Sequence, residues 1–519
     1  MTWSLENSQC DEASKIRWEC IPYFHGRVLD VGCGKYKTFP HWIGVDNGGV
    51  WGKHNADVPL EDAAKLDIFA GQSCDGVFSS HFLEHIPYEI VPQTLTDWCR
   101  LLRPGGHLML YLPDEDEYPK IGEQYSNPDH KWNVNYDKVL AAMDQMPRGW
   151  DLVDFQKRNQ DDEYSLWFVF KMTQKKGGRE FSYKLPKPEK TCAVVRYGAF
   201  GDLIQTSSIL PGLKAQGYHV TLYCSDHGYP VIQHDPNIDR FIIQGRDEVP
   251  PQFLHEFWEY TRKKYDRWIN LSESVEGTLL AMAGRANHAW PDAVRAKYMD
   301  RNYIEFTHEL AQVPPPYQPM FYSTLDERAW ARREKTRMGG RAILWSLSGS
   351  SVHKTWPHLD AIIARLMLSY PDVQVVTVGD EVSQILEAGW EQEPRVHCRS
   401  GKWSIRQSMS FAEVADLIIG TETGLLNAAG SMDTPKIVTL SHSSEHMLTK
   451  HWKNVIALTQ PAGVGCSKYP CRQLHFNWDH CPAYEDENTK VALCQWHIGP
   501  EQMWDAVVKV LGVPQRKVA

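Results

Sequence analysis

The sequence lacks the segments that would carry a chain into or across a membrane. Its first residues, MTWSLENSQCDEASK, contain no basic stretch followed by an apolar one, so they do not resemble a secretory signal peptide. No run of about 18 apolar residues occurs, which excludes a membrane-spanning helix. We therefore expect a cytoplasmic protein, either free or peripheral at the inner face of the membrane.

Positive charge is scarce relative to negative charge. There are 55 Lys and Arg against 65 Asp and Glu, a net charge of −10. Proteins whose whole surface binds nucleic acid are normally basic, so nucleic acid is the less favoured partner. Hydrophobic residues make up 42% and charged residues 23%, which excludes a mainly disordered chain. Most of the 12 cysteines are scattered singly, as in a reduced protein rather than a disulfide framework.

The chain is long and rich in aromatic residues. A chain of 519 residues is long enough for two or three domains. It contains 20 Trp, 22 Tyr and 17 Phe. Such residues serve as large core side chains or line pockets that stack sugars or bases, and their number alone leaves both roles open.

Strand-like and helix-like segments alternate along nearly the whole chain. This pattern predicts an α/β fold with parallel sheets, here three Rossmann-like units. A stretch rich in Lys, Gly and Pro predicts a linker between the first and the second of these units. The predicted boundaries are 1–175 for an N-terminal domain, 176–190 for the linker, 191–337 for a middle domain and 338–519 for a C-terminal domain with a cysteine-rich segment at 466–494.

The N-terminal domain begins with an apolar strand and a glycine turn, GRVLDVGCGK, at 26–35. Glycines at such a turn let backbone N–H groups approach a ligand closely. A second strand, WIGVD, ends in Asp46, placed to accept hydrogen bonds from two ribose hydroxyls. A third acidic strand end is expected at Asp67 in AKLDIF. Because only twelve positions separate Gly34 from Asp46, the helix between them must be short.

This order of motifs resembles the class I S-adenosylmethionine-dependent methyltransferases. The resemblance is carried by VLDVGCG, the acidic end of the second strand, SSHFLEHI and LRPGG. It implies S-adenosylmethionine as cofactor, with a methionine pocket, a ribose ligand and an adenine contact. The resemblance implies that Asp30, Gly32 and Gly34 form the methionine pocket. It implies that Asp46 binds the ribose and that Asp67 with Ile68 contacts the adenine.

Three polar residues of SSHFLEHI, namely His81, Glu84 and His85, lie where a methyl acceptor could approach. Methyl transfer relies mostly on positioning, sometimes with a general base. The alternative for His85 is a helix-capping or core histidine. A closing antiparallel strand pair is predicted over 151–172.

The middle domain opens with CAVVRYGAFGDLIQT, a strand, a glycine turn and a helix. Gly198, Gly201 and Asp202 lie in this turn, at the carboxyl end of the strand where ligands of such folds bind. A carboxylate there can act as a general base. Asp202 could equally be an ordinary helix N-cap, and spacing alone leaves both readings open.

The C-terminal domain contains two further turns between a strand and a helix. In WSLSGSSVHKTWP, hydroxyls, Ser350 among them, and Lys354 converge as they would in a diphosphate cradle. The second turn is Glu422-Thr423-Gly424. Both turns could instead be structural caps. The segment Gly379-Asp380-Glu381, after the second strand of this domain, is a candidate contact for the donor ribose.

Together these motifs resemble glycosyltransferase family 9, the lipopolysaccharide heptosyltransferases, which have a two-domain GT-B fold. The resemblance spans roughly 190–510 and is carried by RYGAFGDLIQT, SSVHKTWP and SMSFAEVADLIIGTETG. It implies an inverting transfer from a nucleotide-sugar, with an ADP-sugar favoured. The implied roles are Asp202 as base, Lys354 with Ser350 on the donor phosphates, Met409 on the adenine, and Glu422, Thr423 and Gly424 around the phosphates and donor sugar.

Two positions depart from that family. Glu422 stands where aspartate is usual, and Asn427 where histidine is common. A longer carboxylate would reshape the donor-sugar pocket, so heptose is not assumed.

Four cysteines lie close together near the end of the chain, with histidines 475, 480 and 497 beside them. Four thiols in a short segment suggest a tetrahedral structural zinc site. A metal-free reduced loop, or disulfides formed on isolation, remains an alternative. The cysteines are Cys466, Cys471, Cys481 and Cys494.

Three functional hypotheses follow. The first is a bifunctional enzyme that builds and methylates a glycan, such as a surface polysaccharide. The second places the glycosyltransferase on a hydroxylated base of DNA, since one basic face would suffice for binding. The third keeps the methyltransferase-like domain as a binding module or dimerisation platform.

Overall fold

The computed structural model describes most of the chain. The described residues are 12–24, 26–34, 36–47, 56–60, 62–159, 162–173, 189–245, 248–272, 274–475, 481–485 and 487–514. Almost all of the predicted linker, and His480, lie outside them. None of the described helices has the length and apolar character needed to cross a bilayer.

The chain forms two compact units. The first unit comprises residues 1–189 and 242–264, and the second comprises 190–241 and 265–519. Within the first unit, Tyr260 and Lys264 both donate to the Glu19 carboxylate. These contacts attach the later segment to the N-terminal residues of the unit.

The described residues of the first unit form a sheet of seven strands. Its order is β3-β2-β1-β4-β5-β7-β6. Strand β7 is antiparallel to both β5 and β6, which confirms the predicted closing pair. The remaining pairs are parallel. The strands are β1 Val28–Val31, β2 Ile43–Asp46, β3 Val58–Pro59, β4 Cys74–Ser80, β5 Leu102–Pro113, β6 Gly149–Arg158 and β7 Ser165–Thr173.

Two local predictions for this sheet need correction. Residues 36–42 form turns instead of the expected short helix, because the Lys37 ammonium donates to the carbonyls of Pro40 and Trp42. Residues 65–69 form turns instead of a third strand, and the edge strand is β3. Arg100 donates to the carbonyls of Leu66 and Phe69, so side-chain bonds replace a strand ladder there.

A second sheet has the order β10-β9-β8-β11 among the residues described, and both β9 and β11 run parallel to β8. Strand β8 is almost wholly buried, which explains its continuous apolar sequence. A further short strand, β12, follows along the chain. The bounds are β8 Thr191–Arg196, β9 His219–Ser225, β10 Arg240–Gln244, β11 Arg267–Asn270 and β12 Ala281–Met282.

A third sheet has the order β15-β14-β13-β16-β17-β18 and is parallel throughout. The predicted α/β class with parallel sheets is therefore confirmed. Strand β19 pairs with β12 in a two-stranded parallel ribbon. The bounds are β13 Arg341–Ser346, β14 Val373–Val378, β15 Val396–Cys398, β16 Leu417–Thr421, β17 Lys436–Thr439, β18 Val455–Leu458 and β19 Gln473–Leu474.

Helices connect most of these strands, and several begin at a capping side chain. Thr324 with Glu327, and Ser404 with Gln407, each form a reciprocal capping box. The helices are α1 Glu12–Cys20, α2 Val91–Arg100, α3 Tyr136–Asp144, α4 Phe200–Ser207, α5 Leu210–Ala215, α6 Tyr229–Ile232, α7 Leu254–Arg262, α8 Ser274–Leu279, α9 Asp292–Tyr298, α10 Tyr303–Ala311, α11 Leu325–Met338, α12 Leu359–Ser369, α13 Ile405–Ala412, α14 Gly424–Ala429, α15 Leu493–Trp496 and α16 Pro500–Leu511.

Candidate functional site

The second unit contains a cleft of about 900 Å³. Its walls come mainly from turns at the carboxyl ends of β8, β13, β14 and β16, where ligands of open α/β sheets bind. The volume is within the range of small-molecule sites in proteins. The sequence-predicted residues that line it are Gly198, Gly201, Asp202, Ser350, Lys354, Gly379, Asp380, Glu381, Glu422, Thr423 and Gly424.

Asp202 occupies the third position of α4, and the N-cap position belongs to Ala199. Asp202 is therefore not the N-cap of this helix, because the N-cap lies three positions earlier in the chain. Its Oδ2 accepts a hydrogen bond from the Ala199 backbone N–H at 2.7 Å, and its Oδ1 accepts one from the Arg196 guanidinium at 2.7 Å. The Asp202 side chain is still 34% exposed, so the carboxylate is fixed in orientation but reachable.

The glycines of the two helix starts are required by close packing. A Cβ at Gly198 would lie 2.3 Å from Asp202 Oδ2. A Cβ at Gly424 would lie 2.7 Å from the Cβ of Phe200 and 3.1 Å from the Gly201 nitrogen. The beginnings of α4 and α14 thus meet backbone to backbone in the cleft wall.

Asn427, one of the departures from the heptosyltransferase pattern, helps to join these two helices. Its Oδ1 accepts a hydrogen bond from Gln205 Nε2 at 3.2 Å. Its Nδ2 donates to the Thr423 carbonyl at 3.0 Å. Asn427 therefore holds α4 against α14 while also lining the cleft.

Lys354 ends a short 3₁₀ turn after β13. Its aliphatic carbons lie against Gly349, where an added Cβ would be 2.8 Å from Lys354 Cδ. Burial lowers the pKa of Lys354, and the nearby carboxylates of Glu422 and Asp202 oppose that change. A buried ammonium close to two carboxylates is well placed to hold an anionic ligand in the cleft.

Glu422 lines the cleft but directs its carboxylate into the protein. The carboxylate forms an ion pair with His442 at 2.7 Å and accepts hydrogen bonds from Ser441 and Ser443. Burial opposes its ionisation, but His442, Lys354 and Ser441 outweigh burial and hold the pKa of Glu422 well below its usual range. The longer carboxylate therefore anchors the loop that follows β17.

Thr423 and Ser350 supply hydroxyls at the same edge. The Thr423 hydroxyl accepts a hydrogen bond from the Leu426 backbone and lies 3.2 Å from the hydroxyl of Ser346. The cap reading of this turn is therefore correct for Thr423, which nevertheless lines the cleft. Asp380 likewise accepts bonds from Ser383 and caps its own turn.

The structure does not bring Met409 to the cleft. Its side chain is completely buried on α13, and Ser408 is the neighbour that lines the cleft. Trp403, just before α13, provides an aromatic surface in the cleft instead. Its ring packs against Trp330 and Phe411, with centroids 5.0 and 5.1 Å away. Sequence reasoning missed it, although the aromatic excess was the available signal.

In the first unit, the turn after β1 lies beside the end of β2. The Gly34 N–H donates to Asp46 at 3.0 Å, and the Thr38 N–H donates to the buried Asp30 at 2.7 Å. Gly32 has φ +72°, and a Cβ there would lie 2.4 Å from the Phe82 ring. The glycine turn, Asp30 and Asp46 therefore lie together at the carboxyl ends of β1 and β2.

Asp67 and Ile68 lie on the turn that precedes β4. Both side chains are exposed, and Ile68 is 59% accessible. The turn is held by the Arg100 guanidinium through neighbouring carbonyls. Their contact with adenine remains a prediction.

The polar residues after β4 form a cluster that sequence reasoning only partly identified. Burial lowers the pKa of His81 to about 3 and raises that of Glu84 to about 8. His130, on the long loop after β5, joins them, and burial lowers its pKa to about 4. His85 is only half-buried, so it is not a core histidine, and its ring packs against that of His130.

The four C-terminal cysteines line one small cavity of about 20 Å³, together with three histidines and Tyr469. All four are free thiols, and burial raises the pKa of Cys471 to about 12. His497 is not part of this lining and lies 3.9 Å from Glu485. The lining cysteines and histidines are Cys466, Cys471, Cys481, Cys494, His353, His442 and His475.

Comparison with known proteins agrees with the methyltransferase resemblance. A family described as "Methyltransferase domain" matches residues 29–110, from β1 to β5. The expected resemblance of the N-terminal domain to methyltransferases is confirmed. No curated protein sequence matches the chain.

Solved structures of both expected kinds are similar to parts of the chain. The glycosyl transferase family 9 protein from Veillonella parvula is 15% identical, with 52% of this chain and 86% of that chain covered and a TM-score of 0.42. The ADP-heptose lipopolysaccharide heptosyltransferase II of E. coli is 17% identical, with coverages of 53% and 91% and a TM-score of 0.40. A S-adenosylmethionine-dependent methyltransferase from Archaeoglobus fulgidus is 20% identical, with coverages of 32% and 97% and a TM-score of 0.25. Likenesses this distant do not specify a substrate.

Proposed function

We propose that the second unit transfers a sugar from a nucleotide-sugar to a hydroxyl group of a glycan. The observation that carries this proposal is the position of Asp202, Lys354 and Thr423 in the wall of one cleft. A carboxylate can take the proton of an acceptor hydroxyl, and an ammonium and a hydroxyl can stabilise a departing diphosphate. The cleft volume suits a nucleotide-sugar, and we favour an ADP-sugar because of the heptosyltransferase-like motifs.

The mechanism is a direct displacement with inversion. The acceptor oxygen attacks the anomeric carbon, and the bond from that carbon to the donor diphosphate breaks. Asp202 takes the proton of the acceptor hydroxyl as general base. Lys354 neutralises the charge that develops on the departing nucleoside diphosphate, with Ser350 as a hydroxyl donor.

Arg196 acts as a positioning residue in this mechanism. Its guanidinium is buried and donates to both Asp202 and the Leu271 carbonyl. The side chain of Asp202 is thereby held in one rotamer facing the cleft. Such preorganisation lowers the cost of reaching the reactive geometry.

We further propose that the first unit methylates the same class of glycan. The residues of its turn fit S-adenosylmethionine: Asp46 provides a carboxylate for the ribose beside Gly34, and Asp30 stabilises the turn. When bound, this cofactor supplies an activated methyl group. The protein then mainly positions the acceptor oxygen. We assign this activity to 1–175 and sugar transfer to the domains predicted at 191–337 and 338–519, except that residues 242–264 belong to the first unit.

Isothermal titration with S-adenosylmethionine tests the methyltransferase proposal. We expect saturable binding to the full chain and at least tenfold weaker binding to Asp46→Asn, because the amide removes a charged acceptor for the ribose hydroxyls. Asp151→Asn, an exposed position on β6, is the matched control and should bind normally. No binding by the unchanged chain at millimolar concentration would reject this activity.

For the cysteine cavity we propose a structural zinc ion. The cavity has about the volume of one small occupant, and four thiols line it, although no three of their sulfur atoms lie within 4.8 Å of one another, so a bound zinc ion would draw them closer. Metal content per chain should fall in Cys471→Ala and remain unchanged in Cys224→Ala, a buried cysteine of β9. Equal metal content in both variants would contradict a zinc site there.

A further inference from the structure

Glu84 in the first unit is a buried carboxylate without a hydrogen-bond partner. Its side chain has no exposed surface, and neither carboxylate oxygen accepts a hydrogen bond from any described residue. Two imidazole nitrogens, His81 Nδ1 and His130 Nε2, each lie 3.7 Å from Oε1, and burial favours the neutral form of both rings. Ionising a carboxyl group in this position is costly unless a cation accompanies it, so a bound cation would stabilise the charged form of Glu84.

Imidazole groups surround this carboxylate. The rings of His85 and His130 lie 4.9 Å apart, centroid to centroid, and nearly perpendicular at 86°. One ligand atom each from Glu84, His85 and His130 lies within 4.8 Å of the other two. Among the residues that the structure describes, no other group of three His, Cys, Asp or Glu residues meets this criterion.

The cluster is built from two separate parts of the chain. Glu84 and His85 belong to the 3₁₀ turn Leu83–His85 that follows β4. His130 lies on the loop after β5, and the next residue, Lys131, donates its N–H to the Glu84 carbonyl at 2.8 Å. This backbone bond fixes the loop against the turn, so the three side chains meet because of the fold.

We propose that Glu84, His85 and His130 bind a divalent transition-metal ion. Two imidazole nitrogens and one carboxylate oxygen are a ligand set that zinc and related divalent ions accept, with a coordination position left for water or substrate. A doubly charged cation would also provide the charge that the buried carboxylate lacks. His81, which faces Glu84 through Nδ1 and Ser165 through Nε2, is a positioning residue beside the ion.

The position of this cluster connects it with the glycine turn. Phe82, between His81 and Leu83, packs against Gly32 so closely that a Cβ there would overlap its ring. Strands β1 and β4 are parallel neighbours, with Asp30 opposite Phe78. Both sites therefore lie at the carboxyl edge of one sheet. Metal binding does not depend on methyl transfer, so the two can be tested separately.

Cobalt(II) titration of the full chain, after dialysis against a chelator, tests the proposal. A nitrogen and oxygen site gives visible d–d absorption without the near-ultraviolet thiolate charge-transfer band that the cysteine cavity would give. We expect this visible signal in a Cys471→Ala background, which is used for every variant because cobalt bound to the cysteine cavity would add visible bands of its own. It should be lost in Glu84→Gln and His130→Asn and retained in His41→Asn, an exposed histidine of the same unit.

Zinc affinity provides the quantitative measurement, made in a Cys471→Ala background so that the other site does not contribute. Glu84→Gln should weaken zinc binding beyond the roughly 10- to 100-fold that loss of an outer partner costs. Melting without metal shows whether the variant folds, and replacing an unpaired acid with a neutral amide should not lower its melting temperature. A folded variant that binds zinc as tightly as the parent chain, or a parent that binds neither ion, overturns the proposal. If Glu84→Gln does not fold, the same comparison is made with His130→Asn.

Discussion

The Arg196 guanidinium donates to Asp202 Oδ1 at 2.7 Å, while the Ala199 N–H donates to the other carboxylate oxygen. Arg196 is only 2% exposed, whereas about a third of the Asp202 side chain is accessible from the cleft. A buried cation thus holds an accessible carboxylate in place. This arrangement distinguishes Asp202 from a residue that merely caps a helix.

Replacing Asp202 with asparagine should remove the general base with little change of shape. We expect sugar transfer to fall about 10²- to 10⁴-fold, the usual contribution of a positioned base. Donor affinity should stay within a few-fold, because the amide oxygen can still accept the Ala199 bond. Initial rates and donor titration measure the two effects. Asp226→Asn, at an exposed position outside the cleft lining, is the control. Undiminished turnover by Asp202→Asn would refute the assignment of Asp202 as the general base.

Substitutions at Trp403 and at Met409 should differ in their effect on recognition of the donor base. Trp403→Ala should weaken donor binding by about tenfold or more, since stacking on an aromatic ring contributes about 1–3 kcal/mol per base. Met409→Leu should leave donor affinity unchanged, because Met409 is fully buried and the replacement conserves volume. Donor titration of both variants decides between them. Weaker binding by Met409→Leu alone would restore the family-based role of Met409.

Glu422→Gln should destabilise the second unit. Breaking a buried ion pair by removing one partner costs about 3–5 kcal/mol, which here leaves His442 without its carboxylate. Thermal melting at neutral pH should show a clearly lower midpoint than for Glu381→Gln, an exposed carboxylate. An unchanged midpoint would show that the pair contributes no net stability.

The same pair predicts a dependence on pH. The pKa of Glu422 is lower in the folded protein than its usual 4.5. As the pH falls, this carboxylate is therefore protonated in the unfolded chain before it is protonated in the folded protein. Its stabilising contribution is therefore complete above about pH 5 and declines as the pH falls below that value. Melting of the parent and Glu422→Gln chains should converge on acidification. A difference that grows at acidic pH would contradict the assigned direction.

Much of the fold is visible in local sequence. The apolar strands, the glycine turns and the position of Asp202 after β8 depend on neighbours along the chain, and these predictions agree with the structure. The expected helix after Gly34 depends on local sequence too, but the Lys37 side chain bonds the carbonyls of a turn and replaces it.

The rest of the site depends on contacts between distant segments. Sequence placed Glu422 in a phosphate turn but could not show that its carboxylate faces His442. It identified Glu84 and His85 but not His130, which a loop brings to them. Met409 illustrates the same limit, because the face of α13 that points to the core is decided by tertiary packing.

Donor binding by Lys354→Ala is the most direct test of the account. Calorimetric titration of the full chain with ADP-, GDP-, UDP- and dTDP-sugars should identify one donor class that saturates a single site. Loss of a charged hydrogen-bond donor to the phosphates should weaken that binding about 10- to 100-fold in Lys354→Ala. Lys453→Ala, on an exposed pair with Asp433, should bind as the parent does. Binding of equal strength by the Lys354→Ala and parent chains, or no binding of any of the four, would contradict a nucleotide-sugar site in this cleft.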